Sequence, residues 1–332
     1  MDYTIQIAKI KSLLPDVDIV TESEFHLFKN EKFAKKAFEY FIIATQNIKE
    51  KLNIKLNFAF RYQHNFNATA YRFGNENIIL INVGIINELE ILIDTSINNY
   101  LEDPFTIQSS IPIEKNILTE LFIYLISSYI FYHELAHILQ FNFSTVNNSF
   151  SFSEQYNYTE PFDIKNHIYE LDADSFGICI GTILLLQYLE NNKIQDQIIV
   201  FNLTSLYLFL VSKVFIEFTN KPLEKLYYKE YSHPHPVIRI VECNEQIINT
   251  MNLNMSIDKN FFLFTLKRCG DLLDKTIKKN NSPFNYSSTL TNNFENLEKY
   301  NTEIEHLNDS YKELTIFRTQ DIYNRLGIAT DI

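Results

Sequence analysis

Cysteine is scarce in this 332-residue chain, which has only three. Cys179, Cys243 and Cys269 are odd in number and widely spaced, so the sequence excludes a disulfide framework and favours buried thiols in a reducing compartment. No CxxC pair is present to compete for a metal ion. The chain also lacks Trp and has six Gly, and with its abundant Asn and Ile this composition indicates an AT-rich bacterial genome.

Positive charge is also in short supply. The chain has 29 Lys and Arg against 41 Asp and Glu, a formal net charge of −12. Because the sequence shows no local basic patch, we expect no nucleic-acid partner. Residues Met1–Lys9 lack the basic-then-apolar shape of a signal peptide. The sequence therefore predicts a cytoplasmic protein.

Apolar runs long enough to cross a membrane are missing. The uncharged stretches 121–132, 175–189 and 198–212 are each shorter than the ~20 residues that a spanning helix needs. We therefore expect core helices rather than membrane association. Since 46% of the residues are apolar, the chain can bury a sizeable core, as one elaborated domain or two.

The strongest motif present is HELAH, residues 133–137. On a helix, His133 and His137 lie on one face and can grip one metal ion, while Glu134 lies close enough to act on a water at that metal. This is the core of a zinc hydrolase. The HExxH pattern also arises by chance in roughly one chain per hundred of this size. The alternative is therefore that both histidines lie on a core helix and hydrogen-bond to backbone or side-chain partners.

A third ligand follows in the segment ELDAD, residues 170–174. Glu170 can complete the three protein ligands of a catalytic zinc, and Asp174, one turn later, can accept the free ring N–H of a ligating histidine. A solvated acidic face at a helix start is the alternative. The apolar continuation at 175–180 argues for a cation in the interior instead.

Neighbouring residues of this segment are assigned other roles. Ala173 and Gly177 are small enough to let two helices approach closely. Asp172 falls on another face, where we expect it to be solvated. His167 lies one turn before Glu170 and is a competing ligand, but Glu170 with Asp174 explains the metal shell better.

A second histidine cluster, Ser-His-Pro-His-Pro at 232–236, predicts a helix start, because Pro is favoured in a first turn. His233 or His235, held rigidly there, could hydrogen-bond an oxyanion. Arg239 could hold a carboxylate, either of the protein or of a substrate. A proline-rich turn with surface histidines is the alternative.

Together these motifs resemble the gluzincin metallopeptidases. HExxH, ExxxD and HPxxxxRI, the last at 233–240, occur in the family's order, and the nearest groups are the CAAX prenyl proteases with the heat-shock membrane proteases. Phage-exclusion peptidases of the Lit type, which cut a translation factor in infected bacteria, are similar as well. Unlike the membrane members, this chain has a mostly polar segment between HExxH and the third ligand, at 138–169.

The resemblance implies a zinc-dependent endopeptidase with one Zn²⁺ ion, acting on a protein or peptide substrate. It implies that His133, His137 and Glu170 are metal ligands, that Glu134 is the general base and that Asp174 orients a ligand. It gives His233 and Arg239 supporting roles, with His233 preferred over His235 because of its spacing to Arg239. A family-like stretch before Gly84 implies a sheet edge for an extended substrate, formed by Asn67, Ala68, Thr69 and Ala70.

Periodicity and turn signals predict an α+β, mainly helical fold, with a zincin-like core, a small antiparallel sheet and a long active-site helix. The predicted elements are helix 31–52, strand 55–62, a hairpin 67–73 and 77–83 around Gly74, a helix from about 85, a loop 100–112, a buried helix 113–140, a lid-like loop 142–163, and helices 165–190 and 197–219.

The predicted organisation is a metallopeptidase domain at 1–280 (core about 55–250), a linker at 281–293 and a C-terminal amphipathic helical extension at 294–332. Apolar residues spaced three and four apart over 297–314 indicate a short heptad seam. That seam either contacts a partner or second copy, or packs back on its own domain.

Two functional alternatives remain beside the endopeptidase. One is a zinc hydrolase of non-peptide amides, which would use the same ligands. The other is a regulatory or sensing protein that binds a metal without catalysis. Manganese, iron or cobalt could replace zinc, since availability as well as affinity decides occupancy. A role in phage exclusion or stress response rests on family analogy alone.

Overall fold

The computed structural model describes residues 3–102, 113–143, 150–153, 162–218, 226–255, 259–279, 284–310 and 320–326. Within these ranges the protein is mainly helical with one small sheet, which confirms the predicted α+β class. One large hydrophobic core joins residues from the N-terminal third to the C-terminal helices.

The sheet has four strands: β1 (Lys55–Arg61), β2 (Ala68–Phe73), β3 (Glu76–Asn82) and β4 (Phe150–Ser153), in the order β1-β3-β2-β4. The predicted hairpin between β2 and β3 is confirmed, and Gly74 takes the positive φ of 59° that its turn requires. β1 pairs with β3 in parallel, so the sheet is mixed, and the prediction of an antiparallel sheet was wrong. Both faces of β1 are covered, as parallel pairing requires.

β4 lies within the segment predicted as a loop over 142–163. Its four residues pair antiparallel with β2 over Thr69–Arg72, so that part of the segment is a strand. The rest of the predicted lid, at 144–149 and 154–161, lies outside the described residues, as do 103–112 of the predicted loop at 100–112.

Eleven α-helices occur in the described ranges, together with a 3-10 helix at Glu22–Leu27. The boundaries predicted for the helices 31–52, 113–140, 165–190 and 197–219 hold to within three residues. The helices are α1 (Tyr3–Leu13), α2 (Glu31–Leu52), α3 (Val83–Leu101), α4 (Lys115–Phe143), α5 (Ile164–Asn191), α6 (Gln197–Phe218), α7 (Pro236–Asn254), α8 (Lys259–Lys279), α9 (Tyr286–Asn292), α10 (Phe294–Ser310) and α11 (Gln320–Leu326).

Helix α6 passes a test of length and composition for crossing a membrane, yet 83% of its apolar window is buried inside the fold. Its 22 residues extend past the uncharged run 198–212 to include Lys213 and Glu217, which form an ion pair at 3.3 Å. Its apolar surface is therefore used inside the molecule.

Small residues let α4 and α5 approach closely, as predicted. A Cβ added to Gly177 would lie 2.9 Å from the backbone oxygen of Tyr129 and 3.2 Å from the backbone nitrogen of His133. Ala173, on the same helix, is fully buried. This contact sets the distance between the helices that carry HELAH and ELDAD.

The C-terminal helices pack on the rest of the chain. Leu297, Tyr300 and Ile304 of α10 are buried in the main core, so the heptad seam packs back on its own domain over these positions. Its last members, Tyr311 and Leu314, lie outside the described residues.

Part of the predicted linker is ordered structure. Residues 286–292 form α9, and the backbone N–H of Tyr286 donates to the Asp274 carboxylate of α8 at 2.6 Å. Sequence composition predicts a linker there because Asn, Ser and Thr favour turns, but the same residues also cap helices: the Asn285 side chain accepts from the N–H of Ser288.

Candidate metal centre

Helices α4 and α5 bring His133, His137 and Glu170 together in the core. One ligand atom from each lies within 4.8 Å of the other two, and all three side chains are buried. The two Nε2 atoms are 3.1 Å apart, and each is 3.7 Å from a Glu170 oxygen. Ligands of a tetrahedral zinc with bonds near 2.0–2.1 Å stand about 3.3 Å apart. The group can therefore bind a metal ion.

An oxygen lies beside the outer nitrogen of each ring. Nδ1 of His133 is 2.9 Å from Oδ1 of Asp174, and Nδ1 of His137 is 2.9 Å from Oε1 of Gln140. These oxygens favour the tautomer with a proton on Nδ1. In that tautomer the two Nε2 lone pairs, 3.1 Å apart, are placed to bind one cation. This donor set fits a metal ion.

Asp174 connects the His133 ring to Tyr129 and Arg239. Besides the His133 ring it accepts from the Tyr129 hydroxyl at 2.8 Å and from Arg239, whose Nε and Nη2 each donate at 2.7 Å. Burial would raise the pKa of Asp174, but the charge and hydrogen bonds of Arg239 and His133 outweigh burial, so the pKa lies below its usual value. The predicted orienting role of Asp174 agrees with this geometry.

Arg239 contacts two carboxylates of the protein itself. Its guanidinium is fully buried, forms the bidentate pair with Asp174, lies 3.4 Å from Oε2 of Glu170 and stacks 4.6 Å over the ring of Phe215. Of the two partners that the sequence left open, the structure provides the protein carboxylate. Arg239 is thus a positioning residue for Asp174 and Glu170.

The two histidines before α7 have different surroundings. His235 is the N-cap of α7: its Nδ1 accepts from the N–H of Val237, and burial lowers its pKa to about 3. His233 instead lies beside the centre, with Nε2 3.5 Å from Oε1 of Glu170 and Nδ1 3.0 Å from the Ser232 hydroxyl. The geometry therefore agrees with the preference for His233.

Glu134 is buried on α4 between its two histidine neighbours. Its negative charge acts on Arg61 at the end of β1: burial lowers the pKa of Arg61, while Tyr71 and Glu134 act in the opposite direction. Arg61 also donates to Oδ1 of Asn82 at 2.6 Å and to the Thr69 hydroxyl at 3.1 Å. The helix that carries Glu134 packs against β2.

The predicted substrate edge is only partly open. Asn67 and Ala68 precede the pairing with β4, whereas Thr69 and Ala70 are paired with it, so β2 is an inner strand there and not an edge. The prediction was wrong at those two positions because the partner strand comes from a distant segment whose sequence gives a loop signal. Gly84 is required nearby, since a Cβ there would lie 2.3 Å from the Asn65 oxygen.

Sequence reasoning missed Gln140 and misjudged Asp172. Asp172 was expected to be solvated, yet it is 6% exposed and accepts from Nε2 of Gln140 at 2.8 Å. The signal for Gln140 was its position three residues after His137, which places both on one helical face.

His167 is not a ligand, as predicted. Its Nε2 donates to the Tyr231 oxygen at 2.8 Å, and its Nδ1 accepts from the Tyr300 hydroxyl. Burial lowers the pKa of His167 to about 4, which keeps the ring neutral.

Comparisons of the chain with protein-family models, curated proteins and solved structures found no match. The likeness to gluzincin metallopeptidases stays a prediction from the motifs.

Proposed function

We propose that this protein is a zinc-dependent peptidase that hydrolyses internal peptide bonds. The observation that carries the proposal is the convergence of three buried ligand groups: the Nε2 atoms of His133 and His137 are 3.1 Å apart, and a Glu170 oxygen lies 3.7 Å from each. An oxygen beside each Nδ1 favours Nε2 as the metal-binding nitrogen of both rings.

Charge balance supports a divalent ion. Three carboxylates, those of Glu134, Glu170 and Asp174, are buried around the centre together with the Arg239 guanidinium. Arg239 pairs with Asp174 and lies 3.4 Å from Glu170. A divalent cation would add positive charge among these carboxylates and would be coordinated by Glu170.

The chain's own residues then divide the chemistry. Zinc, when bound, polarises a carbonyl and makes water acidic enough to lose a proton near neutral pH. Glu134 takes that proton on its carboxylate and passes it to the nitrogen of the leaving amine. His233 lies beside the centre, with Nε2 3.5 Å from Glu170, and with a proton on Nε2 it would donate to the oxyanion of the scissile carbonyl.

A second candidate, hydrolysis of a non-peptide amide, is favoured by one observation. β4 pairs with β2 at Thr69 and Ala70, where an extended peptide was expected to add. Among the described strands β4 is the outer one, so a peptide would have to add beside β4, whereas a small amide needs no sheet edge. We keep the peptidase as the conclusion because the helix that carries Glu134 packs against β2, so a strand-like substrate at this sheet would lie close to that helix.

The test uses the full chain with Glu134→Gln, Glu170→Ala and a surface control, Glu217→Gln. We expect elemental analysis to find one zinc per chain in wild type, Glu134→Gln and Glu217→Gln, and a large loss in Glu170→Ala. Cleavage of denatured casein and of a peptide library should disappear in Glu134→Gln and persist in the control.

Three results would contradict the proposal. Equal metal in wild type and Glu170→Ala would remove the third ligand. Cleavage by Glu134→Gln at the wild-type rate would remove the general base. Zinc-dependent hydrolysis of N-acylated amino acids without any peptide cleavage would replace the peptidase with the amide hydrolase.

A further inference from the structure

Gln140 connects the two helices of the metal centre. It lies one turn after His137 on α4, and its Oε1 is 2.9 Å from Nδ1 of that ring. Its Nε2 donates across to α5, to the backbone oxygen of Tyr169 at 2.9 Å and to Oδ2 of Asp172 at 2.8 Å. Gln140 and Asp172 are nearly fully buried, so water does not compete for these bonds.

The orientation of the Gln140 amide follows from its partners. The backbone oxygen of Tyr169 can only accept, so the NH₂ group must face it and Asp172, and Oε1 must face His137. In the flipped amide, the oxygen would face two acceptors. The flipped NH₂ would also favour the other His137 tautomer, with a proton on Nε2 where the metal binds.

We propose that Gln140 and Asp172 are positioning residues that hold His137 in its metal-binding tautomer. This inference rests on the proposed metal centre. Asp174 orients His133 directly, whereas His137 is oriented by a neutral amide that Asp172 keeps from flipping. Outer partners of this kind change metal affinity by about 10–100-fold.

Two substitutions separate this role from simple helix packing. Gln140→Met keeps the volume and removes all three hydrogen bonds, so zinc affinity should fall by about 10–100-fold. Gln140→Glu accepts from His137 but sets a second carboxylate against Asp172, and affinity should also fall. Adding Asp172→Asn supplies an amide that donates to the new carboxylate, so the double variant should bind zinc more tightly than Gln140→Glu, while the bond to the Tyr169 oxygen stays lost.

The full chain is measured in three ways. Competition with a chromophoric chelator gives the zinc affinity, and the visible spectrum of the cobalt(II) form reports the ligand field. NMR of the metal-free protein with ¹⁵N-labelled histidine, assigned through His137→Gln, reports the tautomer. We expect a proton on Nδ1 of His137 in wild type and in the double variant, and a mixture of tautomers in Gln140→Met.

Gln6→Met is the matched control. Gln6 is as buried as Gln140 and accepts from the N–H of Phe58, away from the centre, so this variant should lose stability without changing zinc affinity or the cobalt spectrum. If Gln140→Met cannot be purified folded, Gln140→Glu and its rescue by Asp172→Asn decide the question.

The inference is overturned if Gln140→Met binds zinc like wild type, if the double variant binds no better than Gln140→Glu, or if Nδ1 of His137 carries no proton. These outcomes leave the proposed function intact so long as wild type binds zinc and cleaves peptides. If wild type does not bind zinc, the proposed function is contradicted instead. NMR of the metal-free protein still tests the tautomer of His137 in that case.

Discussion

Removing the Arg239 guanidinium should lower the free energy of unfolding, because Arg239 compensates a buried carboxylate at the metal centre. Arg239 and Asp174 are both fully buried and joined by two contacts of 2.7 Å, so solvent does not screen them. Arg239→Met leaves Asp174 as a buried charge held by His133 and Tyr129 alone. Breaking a buried pair by deleting one partner costs about 3–5 kcal/mol. We expect that loss in the free energy of unfolding.

The double variant tests whether the loss comes from the orphaned charge. Asp174→Asn keeps an oxygen that accepts from His133 but removes the charge, so adding it to Arg239→Met should recover stability. We expect the coupling energy between the two substitutions to be about 2–3 kcal/mol. Urea unfolding with a chelator present measures stability without a metal contribution.

A surface pair provides the control. Lys229 and Glu303 form an ion pair with both side chains nearly half exposed, and Lys229→Met should change stability by less than about 1 kcal/mol. Equal losses in Arg239→Met and Lys229→Met, or a double variant as unstable as the sum of its singles, would refute the view that Arg239 compensates a buried carboxylate.

Two further predictions concern the helix contact and a buried acid. Gly177→Ala should destabilise the fold by about 1–3 kcal/mol and weaken zinc binding in a chelator competition, because its Cβ meets Tyr129 and the backbone of His133; unchanged values would contradict this. Burial, with nearby Glu245 and Glu305, raises the pKa of Glu242 to about 7. Below that pH the folded state holds a proton that the unfolded chain has already lost. The free energy of unfolding of wild type therefore falls as the pH rises through 7. The advantage of Glu242→Gln over wild type in urea unfolding should therefore be about 1–2 kcal/mol larger at pH 8 than at pH 5, and a difference independent of pH would refute it.

The features that the sequence predicted well depend on residues that lie close together in the chain. His133 and His137, four apart on an apolar helix, and Glu170 with Asp174, four apart on the next, are fixed by helical periodicity, and periodicity needs no tertiary information. Gly177 was predicted for the same reason, since a small residue four places after Ala173 marks a close helix contact.

What the sequence could not predict depends on partners distant in the chain. The parallel pairing of β1 with β3 and the pairing of β4 with β2 over Thr69–Arg72 join segments whose local signals say nothing about each other. Helical periodicity likewise placed Asp172 on a face away from the metal ligands, where we expected it to be solvated. It is buried instead because a partner, Gln140, lies on another helix.

His235 and His233 show how one motif separates into two functions. Both precede a proline, and residue type alone cannot distinguish them. The helix begins at Pro236, so the residue immediately before it is the N-cap, and His235 uses its ring nitrogen on the backbone of Val237. His233, two residues earlier, is left to face Glu170. The capping requirement of a helix thus decides which histidine is available to the metal centre, and a change of helix start by two residues would exchange their roles.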